Sequence, residues 1–377
     1  MIPLFKVAMS EEAPDRVAEV LRCGQLEHGP RVEEFEAALS ERLGNPLVTA
    51  VNCGTSGLHL ALSLVAGQYG GSGGAHEDTG EVLATPLTFE GTNWPILAHG
   101  MRIRWVDVDP ETLNMDLDDL ERKISPSTKA IMVVHWLGYP VDLDRLRGIV
   151  DRAERRLGFR PPVIEDCAQA WGATYRGLPL GNHGNTCVYS FQAIKLLTCG
   201  GGGLVVLPEE ELHRRAVLRR WFGIDRAADR VHGDYDVPEW GFRFPMNDTA
   251  AAVGLANLDI VDPLLARHRE NAAHYDKELA GVPGVELTER ADDREPSFWA
   301  YPLKVEDRDA FTRKLAERGI MTSLISRRND EHTCVAPYRS ELPGLDRIQD
   351  RIIYVPVGWW LTEEDRSHIV DVIRSGW

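Results

Sequence analysis

Two hydrophobic rhythms alternate along the first two thirds of the chain. PRVEEFEAALSERLG, residues 30–44, sets apolar residues at helical spacing and stops at a glycine, which predicts an amphipathic helix. The short run PLVTAVN (46–52) follows, then SGLHLALSLVA (56–66), and the exchange continues through EVLATP, RIRWVDV, KAIMVVHW, LDRLRGIVDRAERRLG, PPVIED, TCVYSF and GGLVVL. Short apolar runs that alternate with helices predict an α/β fold, with a parallel, buried sheet covered by helices on both faces. Ser10, before Glu11, Glu12 and Ala13, is expected to cap the first helix. Helical character dominates from Glu209 into NDTAAAVGLANLDIV (247–261).

After Val261 the pattern changes to helix LARHRENAAHYDKELAG, strand SFWAYPLKV (297–305), helix DAFTRKLAERG and a last helix TEEDRSHIVDVIRSGW. That order predicts a smaller α+β unit, so the expected division is a large domain over 1–260 and a small C-terminal domain over 261–377. A length of 377 residues agrees with about two domains. QYGGSGGAHEDTG (68–80) reads as a flexible insertion.

Composition removes several classes of function. A net charge of -16 argues against non-specific nucleic-acid binding, which needs a positive footprint. No apolar run approaches the ~18 residues of a membrane span, and the opening MIPLFKVAMSEEAPDR lacks the layout of a signal peptide. A cytoplasmic protein with no membrane partner is expected. The six cysteines are scattered, so neither a disulfide framework nor a structural zinc site is expected.

Three stretches carry candidate chemistry. In VNCGTSGLHLALSL a strand-like run ends at Gly54-Thr55-Ser56-Gly57 and a helix begins. Hydroxyls and free N–H groups there suit a phosphate, and they equally suit an ordinary helix cap. In VIEDCAQAWGA, Asp166 closes a buried run, at the sheet edge where open α/β sheets bind ligands; it could pair with a protonated ring nitrogen, hold a metal or cap the next segment. In VYSFQAIKLLTCGGGG, Ser190 and Lys195 follow another strand and precede four glycines. An amine placed there can form a Schiff base if its surroundings lower its pKa. The glycines follow the lysine, so this is no phosphate loop of the G-K-[ST] kind. Phosphate anchor, carboxylate and amine together are what pyridoxal phosphate requires.

At these residues the chain resembles the DegT/StrS family of sugar aminotransferases, fold-type I pyridoxal-phosphate enzymes. The resemblance runs nearly end to end, through QLEHGPRVEEFEAAL, NCGTSGLHLAL, TPLTFEGTNWPILAHG, WVDVDPETLNMD, VVHWLGYPVDLDRL, VIEDCAQAWGATYRGLPLGNHG, YSFQAIKLLTCGGGG, GFRFPMNDTAAAVGLANL and IIYVPVGWWLTEED. It implies a three-layer α/β/α large domain of aspartate-aminotransferase type with a mostly parallel sheet. It also implies that Lys195 is the Schiff-base lysine and proton carrier, and that Asp166 keeps the ring nitrogen protonated. Gln169 would lie near the ring hydroxyl, Thr55, Ser56 and Ser190 would bind the phosphate, and Phe89 would stack on the ring or pack in the core. Sites between subunits of a homodimer are implied as well.

The chain departs from the family pattern at Gly241-Phe242-Arg243, where many relatives carry asparagine at the third position. Arg243 is expected either to reach the neighbouring subunit's cofactor phosphate or to sit in a surface ion pair, with Asn247 as the alternative contact. Arg327, Arg328, Asn329 and His332 crowd a loop of the small domain that could grip a substrate diphosphate or carboxylate. Arg219 and Arg220 are weaker candidates. His135 and His183 could approach the cofactor or sit in core and turn positions. The resemblance implies transfer of an amino group from a donor such as glutamate to a keto sugar, in first place a nucleotide-linked one, with a free cyclitol ketone as alternative. A dehydratase of similar fold is disfavoured by the retained Lys195 and by the lack of a cysteine cluster. A non-catalytic relative is disfavoured by the presence of both Lys195 and Asp166.

Overall fold

A computed structural model describes residues 1–65, 80–226 and 235–377. Apart from Gly80, the insertion predicted at 68–80 lies outside the described residues. Seven strands form the main sheet: β1 (Val48–Val51), β2 (Glu81–Ala84), β3 (Arg102–Trp105), β4 (Thr128–Val134), β5 (Val163–Asp166), β6 (Thr186–Ser190) and β7 (Gly203–Val206). Their spatial order is β1-β7-β6-β5-β4-β2-β3. β7 runs against both of its neighbours, and every other pairing is parallel.

Burial on both faces follows from the apolar runs. In β4, Ile131 and Val133 enter one core while Ala130, Met132 and Val134 enter the other. The first core is closed by α2 (Pro30–Leu43), α5 (Leu117–Lys123), α6 (Leu143–Leu157) and α8 (Asp248–Leu258). The second is closed by α3 (Gly54–Val65), α4 (Glu90–Ala98) and α7 (Glu210–Arg220). The result is the expected three-layer α/β/α architecture with a mostly parallel sheet. The first helix, α1 (Ala13–Cys23), starts later than a Ser10 cap implies. Pro14 occupies its first turn, the position a residue without an N–H tolerates. Ser10 instead shapes the preceding turn, its hydroxyl accepting from the Glu12 N–H.

The C-terminal unit builds on α9 (Val261–Leu279) and an antiparallel sheet of β8 (Val285–Glu286), β9 (Tyr301–Val305) and β10 (Ile352–Val355), with α10 (Arg308–Glu317), α11 (Pro343–Ile348) and α12 (Glu363–Arg374). Tyr275, Leu303, Phe311 and Ile369 anchor its core, and Ile2 joins them from the far end of the chain. Ile2 pairs with Ile320, which draws the first residues across the C-terminal unit. The strand expected over 297–305 begins only at Tyr301. Its first half is tied elsewhere: the Ser297 and Trp299 N–H groups donate to the carbonyls of Gly138 and Leu137. Fully buried Lys304 ties β9 to the segment before α5 by donating to Pro110 O and Glu111 Oε2, each at 3.0 Å. Among the described residues no single helix is long and apolar enough to cross a membrane.

Candidate active site

Where β5 and β6 end, a cavity of about 580 Å³ is bounded by the first turns of α3 and α4. Thr55, Phe89, Asp166, Gln169, Ser190 and Lys195 all line it. A volume of this size suits a cofactor with part of a substrate. A larger cleft of about 700 Å³ beside His213 and Arg220 brings together no such set.

Lys195 follows β6 in a tight turn, its N–H donating to Gln192 O. Burial lowers the Lys195 amine to about 8, while the charge of Asp166 pulls the other way. Such an amine is partly unprotonated near neutral pH, the form that attacks an aldehyde. Its nitrogen lies 3.9 Å from the centroid of the Trp299 indole.

Asp166 ends β5 with its carboxylate in the cavity wall. Burial pushes the carboxyl above its ordinary value, opposed by the Thr92 hydroxyl and the Ala168 N–H. Those donors stand at 2.7 Å from Oδ2 and 2.9 Å from Oδ1, so Asp166 both closes the following turn and faces the cavity. A buried carboxylate that accepts from two donors is matched by a protonated ring nitrogen. Below it, His135 is fully buried between Glu165, at 2.8 Å from Nε2, and the Val141 N–H, which donates to Nδ1 at 3.0 Å. The donor on Nδ1 places the ring proton on Nε2, and the imidazole serves as a structural strut. His183 packs edge-on against Tyr175.

The phosphate end is made by close approach. α3 begins at Gly54, and the Ser56 N–H donates to Cys53 Sγ. A sulfur therefore takes the capping place, and Thr55 and Ser56 lie within the first turn. A Cβ on Gly54 would stand 2.9 Å from the Ser190 Cβ, so glycine brings the helix end against the Ser190 hydroxyl. Gly203, last of the four glycines, meets the Cys53 and Gly54 backbone at 2.8 Å from its own would-be Cβ. The run lets β7 pass directly beneath the cradle. Gln169 accepts the Leu137 N–H at 2.7 Å through Oε1, which leaves its amide NH₂ as the group to offer a ring hydroxyl. Phe89, more than half exposed, sits at the N-cap of α4 and flanks the cavity. Lysine, carboxylate, hydroxyl cradle and aromatic wall form a donor set that fits pyridoxal phosphate.

Other candidates lie off the cavity wall. Arg219 is buried against Glu239 and Ser63 O, and Arg220 against Glu36 and Ala50 O. Arg327 pairs with Glu331, and Arg328 with Asp330 and Asp346. Asn329 is fully buried, bonded to Asn93 and to Thr88 O. His332 stands 3.3 Å from Glu90. Arg243 makes an exposed pair with Glu27, and Asn247 caps α8 through the Ala250 N–H. Asp166 and Lys195 are the charged side chains among the described residues lining the cavity.

Several lining residues went unassigned in the sequence. Thr92 lies in the stretch TPLTFEGTNW one helical turn beyond Phe89, a spacing that could have marked it. Trp299 and the N-terminal Leu4 and Phe5 reach the cavity from distant segments, with no local pattern to announce them.

Residues 7–374 match the profile of the DegT/DnrJ/EryC1/StrS aminotransferase family. The sugar aminotransferase CalS13 from Micromonospora echinospora is 67% identical with a TM-score of 0.96, over 100% of both chains. AtS13 from Actinomadura melliaura is 66% identical, TM-score 0.96, over 100% of this chain and 99% of its own. Spr1654 from Streptococcus pneumoniae, solved in its PMP form, is 25% identical, TM-score 0.89, over 100% and 98%.

Proposed function

Because the chain belongs to the DegT/DnrJ/EryC1/StrS aminotransferase family and depends on pyridoxal phosphate, we propose that it aminates a nucleotide-linked keto-deoxysugar with L-glutamate as donor. The observation that carries this reading is the convergence of Lys195, Asp166 and the Thr55–Ser190 hydroxyl cradle in one cavity. The lining also includes apolar Leu4, Phe5, Met321 and Ile325, which suit the methyl face of a deoxysugar. Arg327, exposed two residues beyond Ile325, is the loop cation assigned to a diphosphate.

When bound, pyridoxal phosphate supplies an electron sink through which an amino group and a proton change places. Asp166 would hold a proton on the ring nitrogen. Thr55, Ser56 and Ser190 would bind the phosphate, with the N-terminus of α3 behind them. Gln169 would donate to the ring hydroxyl, and Phe89 would cover the ring and exclude water. Lys195 Nζ would make the covalent link, give way to the donor amine, then accept the donor's Cα proton and give it up again. In the second half-reaction Lys195 would run the same proton transfers in reverse, and because the keto acid leaves before the acceptor binds, ping-pong kinetics are expected.

A cytoplasmic homodimer completes this reading. A phosphate and the donor's carboxylates call for cations, while the described residues of one chain place Lys195 alone of that sign in the cavity wall. Arg243 is 62% exposed, and Phe222 and Trp240 stand exposed as large apolar side chains. We assign them to a second copy's interface, with Arg243 reaching that copy's phosphate.

A half-reaction screen tests the substrate. Enzyme in its pyridoxamine form is mixed with a panel of nucleotide-linked keto sugars, free keto sugars and cyclitol ketones, and return of the visible cofactor band is followed. Return with a nucleotide-linked keto-deoxysugar is expected, and return with cyclitol ketones only would replace the reading. Glutamate should bleach the band in the opposite direction.

A further inference from the structure

Trp299 stands at the meeting of three chain segments. Its indole N–H donates at 2.9 Å to the carbonyl of Ile194, the residue before Lys195, and its main-chain N–H donates to Leu137 O at 2.9 Å. Phe5 stacks on the indole at 4.4 Å and 21°. The Trp299 side chain is therefore tied to the backbone that carries the lysine, packed by the N-terminal arm, and 5% exposed. Lys195 Nζ rests 3.9 Å from its ring centroid.

We propose that Trp299 is a positioning residue for Lys195, its indole face holding the freed side-chain nitrogen at the reaction centre between displacement and return, most strongly once that amine has taken the Cα proton and become an ammonium. This rests on the reading of Lys195 as the Schiff-base lysine. Each half-reaction releases a side chain with four rotatable carbons, and a proton carrier that swings into the mouth of the cavity is lost to catalysis. An aromatic face attracts the charged amine without bonding any of its protons. Lys195 thereby keeps its direction while its protons stay transferable. The group acting on the amine by charge is Asp166, which favours the ammonium as the indole does, while burial opposes both. Phe5 gives the N-terminal arm a part in the site: it fixes the plane of the indole.

The test uses the pyridoxamine form, in which Lys195 is free. Trace acetic anhydride is applied across a pH series, and acetylation of Lys195 is quantified by peptide mass mapping. In wild type the labelling midpoint should fall below that of an ordinary lysine, the direction burial imposes. Trp299→Leu should lower that midpoint by about one unit and kcat roughly tenfold, with both KM values changed little. Trp299→Phe retains a π face and should recover most of kcat. An unchanged midpoint in Trp299→Leu, or equal kcat losses for Leu and Phe, overturns the proposal, because packing alone would then explain the residue. Should the Leu variant fail to fold, Trp299→Phe carries the test: its weaker face must still move the midpoint downward, and no movement overturns the idea. The underlying reading has its own control. Wild-type Lys195 must be protected from acetylation in the pyridoxal form; absence of protection removes the Schiff-base role, whereas protection without a midpoint shift removes only Trp299.

Discussion

The Thr92 hydroxyl donates to Asp166 Oδ2 at 2.7 Å, so the helix that presents Phe89 also holds the buried carboxylate. Thr88 extends the chain, its hydroxyl 2.8 Å from that of Thr92. Thr92→Val keeps the shape and deletes the donor. Burial then acts on Asp166 with less opposition, and its carboxyl moves further above the ordinary value. The acid limb of the kcat/KM profile should shift to higher pH, with a loss of about tenfold at pH 7. A profile that superimposes on wild type would detach Thr92 from the chemistry.

Asp166 also predicts a trade between stability and activity. Its folded pKa is raised, so the folded state holds the proton more tightly than the unfolded chain does. The stabilisation is full below the unfolded carboxylate value and is lost as pH rises through the raised one. As pH rises through that raised value, the cofactor-free enzyme comes to bear an unfavourable buried charge. Asp166→Asn should unfold at higher urea than wild type at pH 8, by about 1 kcal/mol or more, and converge with it at acid pH. Turnover should fall roughly 10²–10³-fold. Equal urea midpoints at pH 8 would mean the apoenzyme already neutralises the carboxylate.

Much of this architecture was legible in the sequence, and the illegible parts share a physical cause. Runs such as Ile131–Val134 and Val163–Ile164 read directly as strands because a sheet buried on both faces needs apolar residues at consecutive positions. Asp166, Ser190 and Lys195 lie at or just after strand ends, which a linear pattern can locate. Trp299, Phe5 and the partners of Arg328 come from remote segments, and no local periodicity encodes a meeting over such separations. The late start of β9 is of the same kind, since residues 297–299 bond to the turn at 137–138 and not to a neighbouring strand.

Asn329 lies in the cation-rich loop, yet its side chain is bonded chiefly to residues of α4 and the turn before it. It accepts from Asn93 Nδ2 at 2.8 Å and donates to Thr88 O at 2.9 Å, wholly out of solvent. Asn329→Ala leaves a buried amide on Asn93 short of a partner, which should cost about 1–3 kcal/mol. Because Asn93 sits on α4, cofactor affinity should fall with it. The double variant with Asn93→Ala should lose less than the two singles added together. A raised acceptor KM at unchanged urea midpoint would instead assign Asn329 to substrate.

Arg243 offers the sharpest test of a shared site. Its partner Glu27 is 69% exposed, and exposed pairs contribute about 0–1 kcal/mol. Arg243→Ala should therefore leave the unfolding midpoint unchanged. If the guanidinium binds the neighbouring subunit's phosphate, cofactor affinity should fall about 10- to 100-fold, the worth of a charge-assisted contact. Complementation then separates contact in trans from contact in cis. In a heterodimer of Lys195→Ala and Arg243→Ala subunits, one site lacks both residues and the other retains both, so activity should return to about half that of wild type per dimer. With both residues drawn from one chain, neither site would be whole, and at a cofactor concentration too low to load Arg243→Ala the mixture would be no more active than its parents.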